Sequence, residues 1–508
     1  MRPYLTAGLI LCLAVTLWSI STRAVVREPD EDSPEQLVMA VPLEVRDIFP
    51  LSTTDPVTRL ATHLVHQPLA TYGSTGELEP VLAQSWHTDD GGNTWIIHLR
   101  PNVYWHDETP FTAADVAFTY RLAVEEGELP FPLADLFDNL IDVTCAHDHQ
   151  VKLHLRRPEG SPPALITIPL VAQHWVESRG TRVYNRHPMG TGPYTLKQWS
   201  PHTAAIFTAQ DDYWGNAPLL DAIELAPLND PELRTRAVLS GFAHCALDPE
   251  PAARGAPLPS TDVVYLAMPS APPFLAYRAA RRAIETTLSQ KMHELAAPPG
   301  IPATGPWPPA SPLHRPEEEV PAGENPEDLL DGAGWTDRGS DGVRMSGDHR
   351  AEFTLMVPNW RDFPQLANWI ARTLAEIGVS VVIETAPLIE VDRRLTVGDY
   401  EAALVQVTVG PDPDLSHLLS SSAIGARYND AKYESPSVDL LLRSLLESSP
   451  VDRGTVAQEI LKILSQDIPA AWLYYPQTEV LVGDRVRDLE WIPGPLLSRP
   501  ELIRVRAP

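Results

Sequence analysis

Trp105-His106-Asp107-Glu108-Thr109-Pro110-Phe111-Thr112-Ala113-Ala114-Asp115-Val116-Ala117-Phe118 is the stretch on which the reading of this chain turns. Thr112 can accept from the first free backbone N–H groups of a helix, and Asp115 stands three residues later, as in a capping box. Val116, Phe118 and Leu122 then face inward, so a helix runs from Thr112 to Ala123.

Working outward, Trp95–Leu99 and Val151–Leu155 alternate as strands on either side of this helix. Leu37–Pro42 is a short apolar strand, and Asp55–Gln67 has helical spacing. A strand-rich block follows from Gly192 to Leu225. Beyond it the elements are mixed. Helices fall near Leu275–Leu295, Pro364–Ile377 and Ser437–Leu446, with strands near Phe353–Val357, Val379–Thr385 and Ala402–Val407. A last helix, Thr455–Gln466, leads into the strand Ala471–Tyr475. The class is α/β, there is no internal repeat, and 508 residues suggest more than one domain-sized unit.

With 44% hydrophobic and 21% charged residues, the composition is that of a soluble globular protein. The 52 prolines gather in connecting stretches such as Pro249–Pro259 and Pro298–Pro326, where they stiffen loops. A formal net charge of -28 with no Lys/Arg run excludes nucleic acid as a partner, since phosphate binding needs a basic stripe. The three cysteines are Cys12, Cys145 and Cys245. No C-x-x-C suggests zinc or redox work, and sequence leaves open whether Cys145 and Cys245 pair. Arg2 precedes an apolar run from Leu5 to Ile20, shorter than the roughly 20 residues of a membrane span and fitting a signal-peptide core. No A-x-A follows, so cleavage and an uncleaved anchor both stay open. Leu11 before Cys12 speaks against lipidation. In either case the remainder is expected outside the cytoplasmic membrane.

A series of segments then resembles one family, in its order. Leu82-Ala83-Gln84-Ser85-Trp86, Thr94-Trp95 and Leu99-Arg100-Pro101 resemble its opening. Trp105-His106-Asp107 through Phe118 resembles its signature, and Gly190-Thr191-Gly192-Pro193-Tyr194 its "GTGPY". Tyr213-Trp214-Gly215 with Pro218 and Leu220-Asp221, then Leu329-Leu330 with Ala333-Gly334-Trp335, then Asp412-Pro413-Asp414, and last Ile468-Pro469 with Tyr474-Tyr475 continue it. The chain is similar in these to the family 5 extracellular solute-binding proteins of ABC importers, the oligopeptide, dipeptide and nickel binders, over roughly residues 37–485. It departs at Glu108, where the family has glycine, and over Leu275–Leu288, where the family's arginine and acidic-basic signature is eroded.

The resemblance implies a two-lobed periplasmic-binding-protein-like fold (class II, cluster C) with a hinge and an extra subdomain in the first lobe. Residues 1–24 would be the signal peptide or anchor and 25–36 a linker. The first lobe would comprise 37–56, 188–258 and 470–508, with 57–187 as its extra subdomain, and 259–469 would be the second lobe. The implied function is capture of oligopeptides or similar small solutes for an ABC permease, by a monomer with no catalysis and no cofactor. A membrane-tethered sensor or scaffold of the same fold is the alternative.

Asp412, in the family's Asp-Pro loop, is the expected anchor for a ligand's amine, though the same dipeptide also makes an ordinary turn. Arg361 is the candidate for a ligand carboxylate, and Trp360 and Trp105 are candidate cleft-lining residues. Gly190-Thr191-Gly192-Pro193 lacks the remaining glycines and the Gly-Lys-Ser/Thr of a nucleotide loop, so it reads as a tight turn entering a strand. Cys145, His147, Asp148, His149 and His154 resemble a metal cluster, but Asp148-His149 reads better as the turn of a hairpin. No G-x-S-x-G or H-E-x-x-H occurs.

Overall fold

The computed structural model describes residues 36–487 and 504–505, except 52–54, 74–76, 127–136, 138, 185, 201, 251–252, 254, 259, 271–272, 296–299, 316–323, 361, 410–413 and 425–428. The N-terminal apolar segment and its linker lie outside the described residues. No helix among the described residues is long and apolar enough to cross a membrane.

In chain order the fold opens with β1 (Gln36–Val41) and α1 (Pro56–Val65). An excursion follows: β2 (Ala83–His87), β3 (Thr94–Leu99), α2 (Ala113–Glu126), β4 (Leu140–His147) and β5 (Gln150–Leu155). The chain returns through β6 (Tyr194–Gln198), β7 (Ala205–Ala209), β8 (Ala222–Pro227), β9 (Cys245–Leu247) and β10 (Ala256–Pro257). It then crosses into β11 (Asp262–Ala267), α3 (Arg278–Lys291) and β12 (Gly300–Pro302). Next come β13 (Glu352–Pro358), α4 (Phe363–Glu376), β14 (Ser380–Ala386), α5 (Leu388–Val397) and β15 (Ala402–Thr408). The helices α6 (Pro436–Glu447) and α7 (Arg453–Asp467) precede β16 (Ala470–Pro476) and the returning β17 (Glu479–Val482).

These strands build two main sheets. The first has seven strands, in the order β10-β17-β9-β1-β8-β7-β6, and the second six, in the order β12-β16-β11-β15-β13-β14. Each contains a parallel set: β1 with β8 and β9 at the centre of the first sheet, and β13 with β14 and β15 at one side of the second. Parallel strands are covered on both faces and so read as unbroken apolar runs rather than alternating ones. β11, antiparallel to both its neighbours but central in its sheet, is covered likewise: Val264 and Leu266 enter one core while Val263, Tyr265 and Ala267 enter the other. Val263, Val264 and Leu266 each contribute about 1.5–3 kcal/mol by leaving water.

The excursion forms a separate four-stranded sheet, β2-β3-β5-β4, with one apolar face against α2. The α2 boundary falls where the sequence puts it, with Asp115 Oδ2 accepting the Thr112 backbone N–H at 2.9 Å. Asp115 Oδ1 also takes the Gln173 N–H at 3.1 Å, so the carboxylate pins a second segment. The inward stripe is Val116, Tyr120 and Ala123; Phe118 and Leu122 pack only partly buried at its margin. Tyr120 lies four residues from Val116, nearer the helical repeat than Phe118, which is why it takes the core position.

Cys145 and Cys245 are free thiols on different sheets. His147 and Gln150 close the β4–β5 hairpin around the Asp148-His149 turn, and no group of three metal-ligating residues forms among the described residues.

Gly190 and Gly192 lie against the end of α1, where a Cβ on Gly190 would sit 1.7 Å from the Val65 carbonyl oxygen. The Gly192 N–H donates to that oxygen at 2.9 Å. The "GTGPY" segment is thus a close backbone contact that opens into β6. Glu108 has φ of 67°, the left-handed region, in the turn closed by its N–H on the Trp105 carbonyl at 2.9 Å. The glycine that the family has there would carry no Cβ penalty. Glu108→Gly should therefore raise stability by about 0.5–1 kcal/mol, after subtracting glycine's greater freedom in the unfolded chain. Paired urea titrations measure this, and a lower midpoint for the variant would contradict it.

Candidate functional site

The connection between the two sheets fixes where a site can be. Among the described residues the chain crosses between them at 258–261, from β10 to β11, and at 477–478, from β16 to β17. The registers put the ends of β1, β8, β9 and β10 on one edge of the first sheet, with the start of β17. In the second sheet the ends of β13, β14 and β15 share an edge with the start of β11 and the end of β16. Both crossings join these two edges, so the carboxyl ends of both parallel sets meet at one crevice, the usual ligand position in open α/β sheets. The crossings are tied to each other and to their own lobes. The Leu258 N–H donates to the Thr478 carbonyl at 2.9 Å, and the Val409 N–H to that of Thr261 at 2.9 Å.

From the second lobe, the loops after β13, β14 and β15 reach this edge. Asn359 N–H donates to the Ala386 carbonyl at 2.8 Å, joining the first two loops. Trp360 is 38% exposed and leans on Phe363 with ring centroids 5.8 Å apart. Arg361 and Asp412 lie outside the described residues; their loops follow β13 and β15. Just beyond the second of these, Asp414 Oδ1 accepts the Ser416 N–H at 2.7 Å.

From the first lobe, α1 supplies the opposite wall. Asp55 caps it by accepting the Thr58 N–H at 2.9 Å, and Pro56 sits where a helix needs no N–H. Val57, Leu60, Ala61, Leu64 and Val65 are buried, leaving Pro56, Arg59 and His63 as the partly accessible stripe. Burial nevertheless lowers the pKa of Arg59, against the opposing pull of Asp262 and Asp55. Burial, aided by the Arg59 charge, pushes His63 down from 6.5 to about 3. The stripe is therefore reachable yet poorly hydrated, as in a crevice rather than on an open face.

Asp262 stands at the start of β11, beside the crossing. Its carboxylate accepts from Gln406 Nε2 at 2.6 Å and Thr261 Oγ1 at 3.0 Å, both from its own side of the hinge. Sequence reasoning missed Arg59, His63 and Asp262. The available signal was an arginine and a histidine four residues apart in an otherwise apolar helix.

The family-like motifs meet at the other end of α1. Gln67 Nε2 donates to the Tyr213 hydroxyl at 2.7 Å, and Trp214 Nε1 donates to Gln67 Oε1 at 2.9 Å. His106 Nε2 contacts the Gly192 carbonyl at 2.9 Å, and His66 Nε2 the Tyr184 hydroxyl at 2.9 Å. These groups fasten one another and hold α1 in place. Trp105, expected in the cleft, is only 2% exposed; it packs edge-on against Phe111 in the core of the excursion subdomain. Its large apolar ring is buried by that packing, not by a ligand.

The subdomain also touches the second lobe. Gly160 N–H donates to the Leu446 carbonyl at 2.8 Å, and Arg453 Nη2 to Ser161 Oγ at 2.6 Å. A Cβ on Gly160 would lie 2.3 Å from the Ser448 carbonyl oxygen. Gly160→Val should hold the lobes apart and enlarge the radius of gyration of the ligand-free protein in X-ray scattering. Identical scattering curves would rule out this contact as a determinant of lobe separation.

A second outcome follows from the histidines of α1. His63 and His66 are both pushed from 6.5 to about 3, chiefly by burial. Between those values the unfolded chain binds protons that the folded one does not, so stability falls as pH drops through that window. The slope is at most about 1.4 kcal/mol per pH unit for each histidine. His63→Gln should make the pH dependence shallower by up to one histidine's share; an unaltered dependence in denaturation at pH 7 and 5 would show that His63 does not contribute.

The chain matches the profile of the bacterial extracellular solute-binding proteins, family 5 (middle), over residues 77–426. It is 30% identical over 433 residues to Protein XP55 of Streptomyces lividans, covering 80% of this chain and 78% of that one. It is 24% identical over 442 residues to the oligopeptide-binding protein AppA of Bacillus subtilis (strain 168), covering 81% of each. Among solved structures it shares its fold with HbpA2 from Haemophilus parasuis, at a TM-score of 0.80 and 20% identity over 93% of this chain and 100% of that one. The chain belongs to the family 5 extracellular solute-binding proteins.

Proposed function

We propose that this protein captures a peptide or similar small solute outside the cytoplasmic membrane and hands it to an ABC importer. The observation that carries the reading is the pair of sheets facing each other through two short crossings, with their loop-bearing edges turned to one crevice. Such a connection permits hinge closure around a guest while each lobe stays rigid. The likeness to an oligopeptide-binding protein supports peptide as the solute class. The protein works as a monomer by reversible closure, without chemistry on its ligand, and the permease recognises the closed form.

Asp412, in the segment that follows β15 in the sequence, is the candidate anchor for a ligand's amine. Arg361, which follows β13, is the candidate for its carboxylate, and Trp360 a candidate cleft-lining residue. A charge-assisted contact in a closed cleft is strong because the partner left behind would be desolvated and unpaired. Native mass spectrometry of protein purified without refolding tests the reading, with a bound peptide expected. Asp412→Ala should then weaken the bound peptide by about tenfold or more in calorimetry. Failure of any peptide to co-purify or bind would refute peptide capture, whereas an unchanged dissociation constant would remove only Asp412 from the site.

A further inference from the structure

Arg59 is at odds with its surroundings. Its side chain lies half-buried at the crevice floor and its Nε is sealed from solvent. Nevertheless, among the described residues none of its side-chain nitrogens takes part in a hydrogen bond or an ion pair within 4.0 Å. The carboxylates that act on it are Asp262, across the crossing, and Asp55, on its own helix. Neither is free to turn to it. Asp262 is held by Gln406 and Thr261, and Asp55 caps α1. Buried arginines elsewhere in the fold are fully engaged. Arg281 donates to the carbonyls of Leu275, Asp467 and Ile468, and Arg234 to those of Leu228 and Asp248. Sealing a guanidinium nitrogen from water without giving it an acceptor is costly, and native proteins rarely leave such an atom alone, while the rest of the fork stays open to the crevice.

The deficit is one of acceptors, and the guanidinium fork matches a carboxylate's two oxygens. His63, one turn along the same partly accessible stripe, is the next polar side chain on it. We infer that Arg59 is the carboxylate anchor of the bound solute, with His63 beside it, so that the ligand carries a free acid group directed at the hinge. This rests on the reading of the crevice as the ligand site. It moves the carboxylate anchor from the loop candidate Arg361 to α1 and leaves Asp412 as the candidate for the amine.

The test uses the full mature chain and a defined probe set read by native mass spectrometry. The set pairs tri- to nonapeptides as free acids with the same peptides amidated at the C-terminus. Peptides with Asp or Glu side chains are included in both forms, together with citrate and succinate. The wild type should retain free acids over amides by about tenfold or more, and Arg59→Gln should erase that difference. Acidic side chains that rescue the amidated peptides would place the side-chain carboxylate, rather than the terminus, on Arg59. Retention of citrate or succinate alone, lost in Arg59→Gln, would support the anchor while sinking peptide capture. Equal retention of acids and amides by the wild type would overturn the anchor and leave peptide capture standing. Should Arg59→Gln keep the acid preference while Arg361→Gln loses it, the anchor is Arg361 and the assignment falls. No retention of any carboxylate-bearing probe overturns it as well. The wild-type comparison decides the matter even if a variant fails to fold. Ligand-free Arg59→Gln should melt no lower than the wild type, since it removes a charge that has no partner among the described residues and whose Nε is sealed from water, whereas a structural arginine would leave a less stable protein.

Discussion

Everything about this molecule depends on how two sheets are joined edge to edge. A βαβ crossover would have merged them into one sheet with its faces covered by helices. Here the chain passes at 258–261 and again at 477–478, and β10 and β17 pair on one side while β11 and β16 pair on the other. Because each lobe has its own apolar core, the segments between them carry little of the packing. Rotation about them therefore disturbs few buried contacts. The result is a crevice whose position is dictated by strand direction and whose width is left adjustable.

Several residues that mark the family serve as struts. Thr191, Tyr213 and Trp214 converge on Gln67 at the end of α1, and His106 and Gly192 lock the neighbouring turn. Asp115 binds the start of α2 to the segment at Gln173. Their common task is to hold α1, and with it the crevice wall, against the first sheet and the excursion subdomain. This explains how motifs spread over more than a hundred residues can belong to one local structure. It also explains why the motif tryptophan, Trp105, packs inside the fold.

Much of the fold was legible because its signals are local. The apolar runs of β1 and β15, the spacing of α1 and α4, and the Thr112–Asp115 cap each lie within fourteen residues or fewer. The strands and helices read from them match the structure within a few positions. The choice among neighbouring apolar residues was less legible: Phe118 and Tyr120 differ only in where the helical repeat places them. Of the candidate site, only the place of two loops along the chain could be read. The two loops carrying Arg361 and Asp412 follow strands that could be read directly. Arg59 could not be assigned from sequence, because an arginine in a helix is normally paired or solvated. Only the burial of its surroundings and the prior engagement of Asp262 and Asp55 reveal the difference.

That difference bears on how closure can be conditional. A ligand shifts a conformational equilibrium only through unequal interaction with the two states. With the lobes apart, water reaches the crevice floor and satisfies the Arg59 guanidinium. With the lobes together, as the contact between Gly160 and Leu446 places them, Arg59 Nε is sealed from water and among the described residues no acceptor replaces it. On the proposed assignment an empty closed form carries a charge with one unsatisfied nitrogen, while the same form holding a carboxylate does not. The penalty falls on closure without cargo and disappears when cargo is present. One buried cation, lacking partners of its own, can thus link occupancy of the crevice to the shape that a membrane permease would meet.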